Sequence, residues 1–569
     1  MPRTNTGLLC LAAAVAAALV AAAPAAAQRP PDASTAREES PRPEGSRADV
    51  PPDSARAAAG ESSRRESEAA GRGDRDDRND RNDRSRDRDH TRPPEEKLVT
   101  THHKARIGGR EIAYTATAGT MLLKRDDGRV RASVYMTAYT RDGVSDVGHR
   151  PITFAYNGGP GSASAWLHMG AFGPRQVVME EEGWAPPPPY QIADNNESLL
   201  DVTDLVFIDP VSTGFSRPAP GEDPATFHGV REDIESVGDF IREYIARFER
   251  WGSPKFLAGE SYGTTRSAGL SRYLQEKLNI YLNGIVLVSS ILNFETARFD
   301  VGNDLPYPLF LPTYTATAWY HKKLPADLQA GDLQRAVAEA ERFAAGDYTL
   351  ALTRGNDLGE AERHQLAKQL ARYTGLSETF LENANLRPTI FEFTKELLRS
   401  YRLTVGRLDS RFKGVDRQAG GERFEFDPAS AAFSGPFAAV FNNYVEKELG
   451  FKSELNYELL TDKVRPWSYR PYDNKYLNVA EDLRYAMAIN PTLKVLVNNG
   501  YYDLATPFFA TQYTFSHLGF DPTYPSRVSM AFYHAGHMMY VRRADREELK
   551  ANIARFIAGA ANVSAAPAK

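Results

Sequence analysis

A serine stands between two close glycines directly after a short apolar segment. In the sequence FLAGESYG, Ser261 lies between Gly259 and Gly263, and residues 255–258 before it are predicted as a buried strand. The residues that follow, TTRSAGLSRYLQEKL, are predicted as a helix. Glycines on both sides allow the chain to turn sharply without a Cβ clash, which leaves the serine hydroxyl exposed at the end of the strand. This turn constrains the fold most, because it requires a strand that passes at once into a helix.

Short apolar runs recur along the chain and are separated by helical patterns. These predicted strands begin at Ile152, Leu205, Lys255, Gly284, Leu493 and Val528. Before them, residues 110–143 alternate in the manner of antiparallel strands, with RDDG as a hairpin turn. Strands that alternate with helices favour parallel pairing. We therefore predict the α/β class, with a mixed, mostly parallel sheet and helices on both faces, and the serine turn is typical of the α/β-hydrolase fold.

The first residues carry the signs of export. A basic start precedes the alanine-rich GLLCLAAAVAAALVAAA and then PAAAQ, which predicts a secretory signal peptide over residues 1–27. A single-pass anchor is the alternative, although the segment is marginal for a membrane span. We expect a secreted or periplasmic protein with no membrane span in the mature chain. The only cysteine, Cys10, lies in this segment, so the mature chain is expected to have no thiol and no disulfide.

The composition divides the rest of the chain into distinct regions. Residues 29–96 contain no Leu, Ile, Phe, Met, Tyr or Trp, which predicts a disordered charged linker over residues 28–96. Residues 97–292 and 490–562 are predicted as the two parts of an α/β-hydrolase core, and 563–569 as a tail. The strand pattern stops between them, and we predict that residues 293–489 form a helical insertion that caps the site.

Charge and motif content narrow the possible partners. The formal net charge is −5, from 69 basic and 74 acidic residues, which argues against nucleic acid as the main partner. The sequence contains no HExxH motif or comparable ligand cluster. We therefore predict neither a metal ion nor another cofactor.

The serine turn predicts an acid and then a histidine further along the chain. Asp503 follows the predicted strand LKVLVN at its carboxyl end, where it can orient an imidazole, and an ordinary turn hydrogen bond is the alternative. Of the later histidines, we expect His517 on the surface at a helix end, and His534 ends a strand, where it can pack structurally. His537 lies on the loop after the last predicted strand. Ser261, Asp503 and His537 are therefore the predicted triad.

A glycine-rich loop follows the strand that begins at Ile152. Its sequence, NGGPG at residues 157–161, allows backbone N–H groups to approach a substrate oxygen closely. A phosphate-binding loop is the alternative. The loop lacks the lysine of a Walker motif, and its proline does not fit a dinucleotide fingerprint. We therefore predict an oxyanion hole at this loop.

Taken together, these motifs resemble those of the serine carboxypeptidases. NGGPG, GPRQV, NNESLL, FIDPVSTGFS, GESYG, NNGYYD and HAGHM occur in the order seen in that family, and the resemblance covers the chain from about residue 97 to the last helix. It implies that Ser261 is the nucleophile, that His537 acts as general base and then acid, and that Asp503 orients His537.

The resemblance also implies how the substrate is held. The backbone N–H groups of Gly159 and Tyr262 would form the oxyanion hole, and Asn157 and Glu260 would bind the terminal carboxylate of a peptide. Ala171 stands where the family commonly carries a second carboxylate-binding glutamate.

These expectations lead to one predicted function and two alternatives. We predict a serine-type carboxypeptidase that acts on peptides through an acyl-enzyme intermediate. An esterase or acyltransferase with the same triad is the alternative within the enzymes, and a noncatalytic envelope-binding protein is the alternative outside them. The side-chain preference and the oligomeric state stay open at this point.

Overall fold

A central sheet organises the chain. In the computed structural model, which describes residues 94–146, 148–519 and 522–561, ten strands form this sheet and two smaller sheets have two strands each. The strands are β1 (Lys97–Ile107), β2 (Arg110–Lys124), β3 (Val130–Arg141), β4 (Ile152–Tyr156), β5 (Arg175–Val177), β6 (Ile192–Asp194), β7 (Asp204–Ile208), β8 (Arg217–Pro218), β9 (Lys255–Glu260), β10 (Gly284–Val288), β11 (Thr404–Val405), β12 (Lys413–Gly414), β13 (Lys494–Gly500) and β14 (Val528–Tyr533).

The order of the strands across the sheet is β1-β2-β3-β7-β4-β9-β10-β13-β14, with β8 paired to β3. Strands β1, β2, β3 and β7 are antiparallel neighbours, whereas the strands from β7 to β14 in this order run parallel. Each of the six predicted apolar runs forms one of these parallel strands. The predicted α/β class with a mixed, mostly parallel sheet is thus confirmed.

Helices lie along the sheet and fill the middle of the chain. In the described residues they are α1 (Ala165–Leu167), α2 (Val230–Arg247), α3 (Tyr262–Leu278), α4 (Pro306–Tyr320), α5 (Ala326–Gln329), α6 (Leu333–Phe343), α7 (Thr349–Arg354), α8 (Glu360–Thr374), α9 (Glu378–Asn383), α10 (Ile390–Glu396), α11 (Pro428–Lys447), α12 (Ala480–Ile489), α13 (Phe508–Ser516), α14 (Tyr524–Arg527) and α15 (Arg543–Ala560).

Two apolar cores cover the two faces of the sheet. Successive residues of β9, Leu257 and Ala258, belong to different cores because side chains alternate along a strand. Helices α2, α3 and α12 pack on the side of Leu257, and α11 and α15 pack on the side of Ala258. Strands β4, β7, β9 and β10 are consequently buried along their whole length, as expected for parallel strands between two helical layers.

A third apolar core lies within the helices of the middle segment. It joins α4, α6, α8, α9 and α10, and the rings of Tyr314 and Phe393 stack at its centre with 4.0 Å between their centroids. These helices fall inside the predicted insertion, residues 293–489. Helices α11 and α12 fall inside it as well, yet they pack on the central sheet. The limits of the insertion therefore stay a prediction.

The predicted segments at the two ends of the chain fall largely outside the described residues. The signal peptide over residues 1–27, almost all of the linker over 28–96 and the tail over 563–569 belong to this group. Among the residues that the structure does describe, no helix combines the length and the apolar composition that a membrane crossing needs.

A buried carboxylate ties four parts of the core together. Asp204, at the start of β7, accepts hydrogen bonds from Arg150 Nε and Arg250 Nη1, both at 2.7 Å, and from the backbone N–H of Arg141 at 3.1 Å. The side chains of Arg150 and Arg250 are 9% and 4% exposed, so both guanidinium groups depend on this carboxylate for charge compensation.

We predict that Asp204→Asn lowers the free energy of unfolding by about 3–5 kcal/mol, because two buried arginines lose their counter-charge. The matched control is Asp462→Asn, which removes a charge from an exposed pair with Arg465. We expect the control to unfold at nearly the wild-type urea concentration, since exposed pairs contribute little. Equal losses in the two variants would contradict this account of the core.

Candidate active site

Ser261 occupies the turn between β9 and α3. Its backbone has φ of 59° and ψ of −128°, a conformation that non-glycine residues rarely adopt and that neighbouring structure must hold in place. Its N–H donates to the carbonyl of Val288 at 3.0 Å, and its carbonyl accepts from the N–H of Thr264 at 2.8 Å. These bonds anchor the turn to β10 on one side and to the first turn of α3 on the other.

The glycines on either side of the serine are required by close backbone approach. A Cβ on Gly259 would lie 2.1 Å from the carbonyl oxygen of Gly263, and a Cβ on Gly263 would lie 2.9 Å from the carbonyl oxygen of Tyr156. Both distances are shorter than van der Waals contact permits. The sharp turn therefore depends on the two glycines.

The NGGPG loop passes directly against this turn. A Cβ on Gly158 would lie 2.4 Å from the backbone nitrogen of Tyr262, and Gly159 has a φ of 102°, which favours glycine. Tyr262 is the first residue of α3, where backbone N–H groups have no acceptor within the helix. The two residues predicted for the oxyanion hole, Gly159 and Tyr262, thus belong to adjoining backbone segments.

Asp503 and His537 are brought together by two loops at the carboxyl ends of β13 and β14. His537 Nδ1 donates to Asp503 Oδ2 over 2.7 Å. Asp503 is completely buried, and its Oδ1 accepts from the N–H groups of Ala505 at 2.8 Å and Thr506 at 3.0 Å. These donors fix the orientation of the carboxylate towards the imidazole.

The surroundings of His537 favour its protonated form. Burial alone lowers the pKa of His537, but the charge of Asp503 and its hydrogen bond, with a further contribution from the charge of Glu260, outweigh burial and raise the pKa above its ordinary value. The imidazole of His537 is buried, has one tautomer fixed by its hydrogen bond, and is stabilised when it is charged. Such a group can accept a proton and release it again.

The other two histidines considered in the sequence lie elsewhere. His517 is exposed at the end of α13, where Nδ1 bonds the carbonyl of Tyr513. His534 is also exposed, and its ring lies beside that of Tyr501, with 5.6 Å between centroids. In the part of the chain that is described, His537 is the histidine that contacts Asp503.

A short segment between β11 and β12 supports the loop that carries Asp503. The carbonyl of Arg407 accepts the N–H of Leu504 at 3.0 Å, and the N–H of Ser410 donates to the carbonyl of Tyr502 at the same distance. Asp503 is therefore held from both sides by backbone hydrogen bonds from residues almost a hundred positions earlier.

The same segment supports the loop that carries His537. The carbonyl of Leu408 accepts the N–H of His537 at 2.6 Å, and Asp409 Oδ2 accepts the N–H of Gly536 at 2.9 Å. Arg411 Nη2 holds this carboxylate at 2.7 Å inside the protein. We call residues 407–411 the support segment. Sequence reasoning missed it, because its hydrogen bonds are mostly made by backbone groups and carry no sequence signal.

Asn157 and Glu260, the residues predicted to bind a carboxylate, lie beside each other and beside Tyr540. Burial raises the pKa of Glu260 to about 7, while the charge of His537 and polar interactions with Tyr540 and Asn157 act against the increase. Asn157 Oδ1 accepts the N–H of Leu167 at 3.0 Å, which turns Nδ2 towards the site. Tyr540 was not singled out in the sequence, although it follows His537 by three positions.

Polar atoms of these three side chains share an unusual property. Asn157 Nδ2, Glu260 Oε2 and Tyr540 Oη are all buried, and no hydrogen bond of ordinary geometry reaches them from the described residues. The three side chains interact with one another only through weaker polar contacts. Such atoms are rare in folded proteins, and each costs about 1–3 kcal/mol. Their grouping beside His537 indicates a site that binds a polar group.

The comparisons with known proteins agree with this geometry. A model of the serine carboxypeptidase family matches residues 131–552. No curated protein matches the sequence. Among solved structures, the chain is similar to Kex1(Δ)p, a prohormone-processing carboxypeptidase from Saccharomyces cerevisiae, with 16% identity, a TM-score of 0.51, and coverage of 78% of this chain and 91% of that chain.

Other solved structures match more weakly. A thioesterase domain from the curacin biosynthetic pathway has 10% identity and a TM-score of 0.30, with coverage of 78% of this chain and 99% of that chain. A lipase in its open form has 12% identity and a TM-score of 0.31, with the same two coverages. The family match spans most of the chain. The chain therefore belongs to the serine carboxypeptidase family, and it is a serine hydrolase with the α/β-hydrolase fold.

Proposed function

We propose that this protein removes the last residue of peptides through an acyl-enzyme formed on Ser261. The observation that carries the proposal is the hydrogen bond between His537 and the fully buried Asp503. Ser261 lies on a strained turn directly after Glu260, whose charge acts on His537. A buried acid, an imidazole and a half-buried serine hydroxyl support nucleophilic catalysis.

The proposed reaction has two halves. In the first, His537 Nε2 takes the proton of Ser261 Oγ as that oxygen attacks the carbonyl carbon of the last peptide bond, and the proton then passes to the departing amine. In the second, His537 takes a proton from water as the water oxygen attacks the acyl carbon. His537 then returns this proton to Ser261 Oγ as the bond from Oγ to the acyl carbon breaks, which releases the shortened peptide and the free serine. Asp503 keeps the imidazole in one tautomer throughout, and the N–H groups of Gly159 and Tyr262 stabilise the oxyanion.

We propose that Asn157 and Glu260 select peptides with a free C-terminus. A carboxylate can approach Glu260 only when Glu260 is protonated, since two ionised acids repel each other in a buried site. The raised pKa of Glu260, about 7, supports this role, because the group keeps its proton at mildly acidic pH. Asn157 Nδ2 supplies a neutral donor at any pH.

The covering of the site and the location of the protein in the cell are two further subjects of proposal. We propose that the helical segment within residues 293–489 covers the mouth of the site, which is supported by the contacts of the support segment with both catalytic loops. We also propose that the protein is secreted or periplasmic. This rests on the signal-like sequence of residues 1–27.

The first test compares Ser261→Ala with the wild type on one blocked dipeptide and on its C-terminal amide, with product release followed by liquid chromatography. We expect wild-type turnover of the free acid to exceed that of the amide. We expect Ser261→Ala to lose turnover by about 10⁴-fold or more at an unchanged melting temperature, since only a hydroxyl is removed. Near-normal turnover by the variant would overturn the assignment of the nucleophile.

A second test separates the histidines. His537→Ala should lose activity to about the same extent as Ser261→Ala, because the two side chains act as one unit. His534→Ala should retain nearly wild-type kcat/KM, since its exposed ring takes no part in the site. Fluorophosphonate labelling of Ser261 gives an independent readout. A larger loss in His534→Ala than in His537→Ala, at equal stability, would contradict the proposal.

A third test uses pH. The peptide reaction requires protonated Glu260 and neutral His537, so kcat/KM for a free acid should be bell-shaped and fall about tenfold per pH unit well above pH 7. Glu260→Gln should remove this alkaline limb. It should also move the acid limb to lower pH, because the charge of Glu260 raises the pKa of His537.

The control for the pH test is the C-terminal amide, which presents no carboxylate to Glu260. Its profile should lack the alkaline limb in both enzymes. Identical profiles for the free acid and the amide in the wild type would remove the recognition role of Glu260. They would instead favour an esterase or acyltransferase.

A further inference from the structure

We infer that Tyr540 is a specificity-determining residue, whose hydroxyl donates a hydrogen bond to the terminal carboxylate of the substrate together with Asn157 and Glu260. The inference rests on the proposed function and adds a residue that the motifs do not predict. Tyr540 lies on the one-turn 3-10 helix Met539–Val541, which directly follows the loop of His537.

The first observation is the complementarity of the three side chains. Asn157 Nδ2 is a donor, the Tyr540 hydroxyl can donate, and Glu260 donates when protonated. All three residues are buried, at 1%, 0% and 4% exposed respectively, and no hydrogen bond of ordinary geometry reaches the polar atoms named above from the described residues. Three donors on neutral groups match the lone pairs of one carboxylate, and hydrogen bonds to a charged acceptor are stronger than those between neutral groups.

The second observation is the position of the ring. A Cβ on Gly170 would lie 2.5 and 2.7 Å from two carbons of the Tyr540 ring, so the ring occupies the space above this glycine. Ala171, the next residue, is buried and has no polar side-chain atom. The ring of Tyr540 therefore lies one residue away from the position where the family resemblance implies a second glutamate, and its hydroxyl is a polar group that can take part in recognition.

The third observation is electrostatic. Burial, followed by the neighbouring Glu260, keeps the pKa of the Tyr540 hydroxyl well above its ordinary value. Tyr540 thus remains a neutral donor over the whole pH range in which Glu260 gains or loses its proton. The hydrogen bond from Tyr540 is therefore available at every pH at which Glu260 is protonated, and the alkaline fall in activity comes from Glu260 alone.

The test is Tyr540→Phe, which keeps the ring against Gly170 and removes only the hydroxyl. KM and kcat are measured at pH 6 on a blocked dipeptide and on its C-terminal amide. We expect KM for the free acid to rise about tenfold with kcat nearly unchanged, because a ground-state contact is removed. The KM for the amide should change far less, because a neutral amide oxygen accepts a weaker hydrogen bond than a carboxylate does.

The matched control is Tyr314→Phe. Tyr314 is also fully buried, but its hydroxyl donates to the carbonyl of Pro388 within the helical segment. We expect this variant to lower the melting temperature without changing the ratio of kcat/KM for the free acid to kcat/KM for the amide. A second variant at the site, Gly170→Ala, places a methyl group against the Tyr540 ring and should lower the same ratio by moving the hydroxyl.

The outcomes distinguish the inference from the proposed function. The proposed function itself is contradicted if the wild-type enzyme does not turn over the peptide, or if it does not prefer the free acid to the amide. A wild-type preference that survives Tyr540→Phe unchanged overturns the inference and leaves the proposed function standing. Equal losses on the free acid and the amide also overturn it, since they indicate a purely structural ring. If Tyr540→Phe does not fold, the decision passes to Gly170→Ala. When that variant folds and keeps the wild-type ratio of kcat/KM for the free acid and the amide, the inference is overturned.

Discussion

The close approach of two backbone segments at the carboxyl end of β9 is the constraint on which the rest of the site depends. Gly158 leaves no room for a Cβ beside the nitrogen of Tyr262, and Gly259 leaves none beside the carbonyl of Gly263. Because these segments touch, Ser261 is held in a left-handed conformation, and the start of α3 faces the NGGPG loop. Ser261 and the two residues predicted to supply the oxyanion donors therefore lie close together at the carboxyl end of a central strand.

The burial of this volume sets its electrostatics. Burial favours the protonated form of Glu260, and the charge of Asp503 favours the protonated form of His537. The two groups interact, so their protons belong to the pair rather than to either residue. The proposed reaction needs the proton on Glu260 and a neutral His537. Moving that proton from Glu260 to His537 gives an ion pair with the same net charge. Small changes in the surroundings of either group therefore affect both substrate binding and proton transfer.

Asp503 and His537 follow neighbouring strands, and a third part of the chain is hydrogen-bonded to both of their loops. The support segment, residues 407–411, binds the Asp503 loop through the carbonyl of Arg407 and the His537 loop through the carbonyl of Leu408. Loops at the end of a sheet are otherwise the most mobile part of such a fold. The middle of the chain thus contributes backbone hydrogen bonds to the loops of both Asp503 and His537.

Local patterns in the sequence determined the six parallel strands, the α/β class and the serine turn, because strand periodicity and the need for glycine at a tight turn act between near neighbours. His534 and His537 are three residues apart, and the choice between them rested on loop position and family resemblance. The contact of His537 with Asp503 appears only in the fold. Tertiary structure alone decided that Asp204 compensates two buried arginines, that α11 and α12 pack on the sheet, and that Tyr540 lies beside Glu260. These arrangements join residues far apart in the chain. They depend on backbone groups and on burial, and neither of these leaves a periodic signal in the sequence.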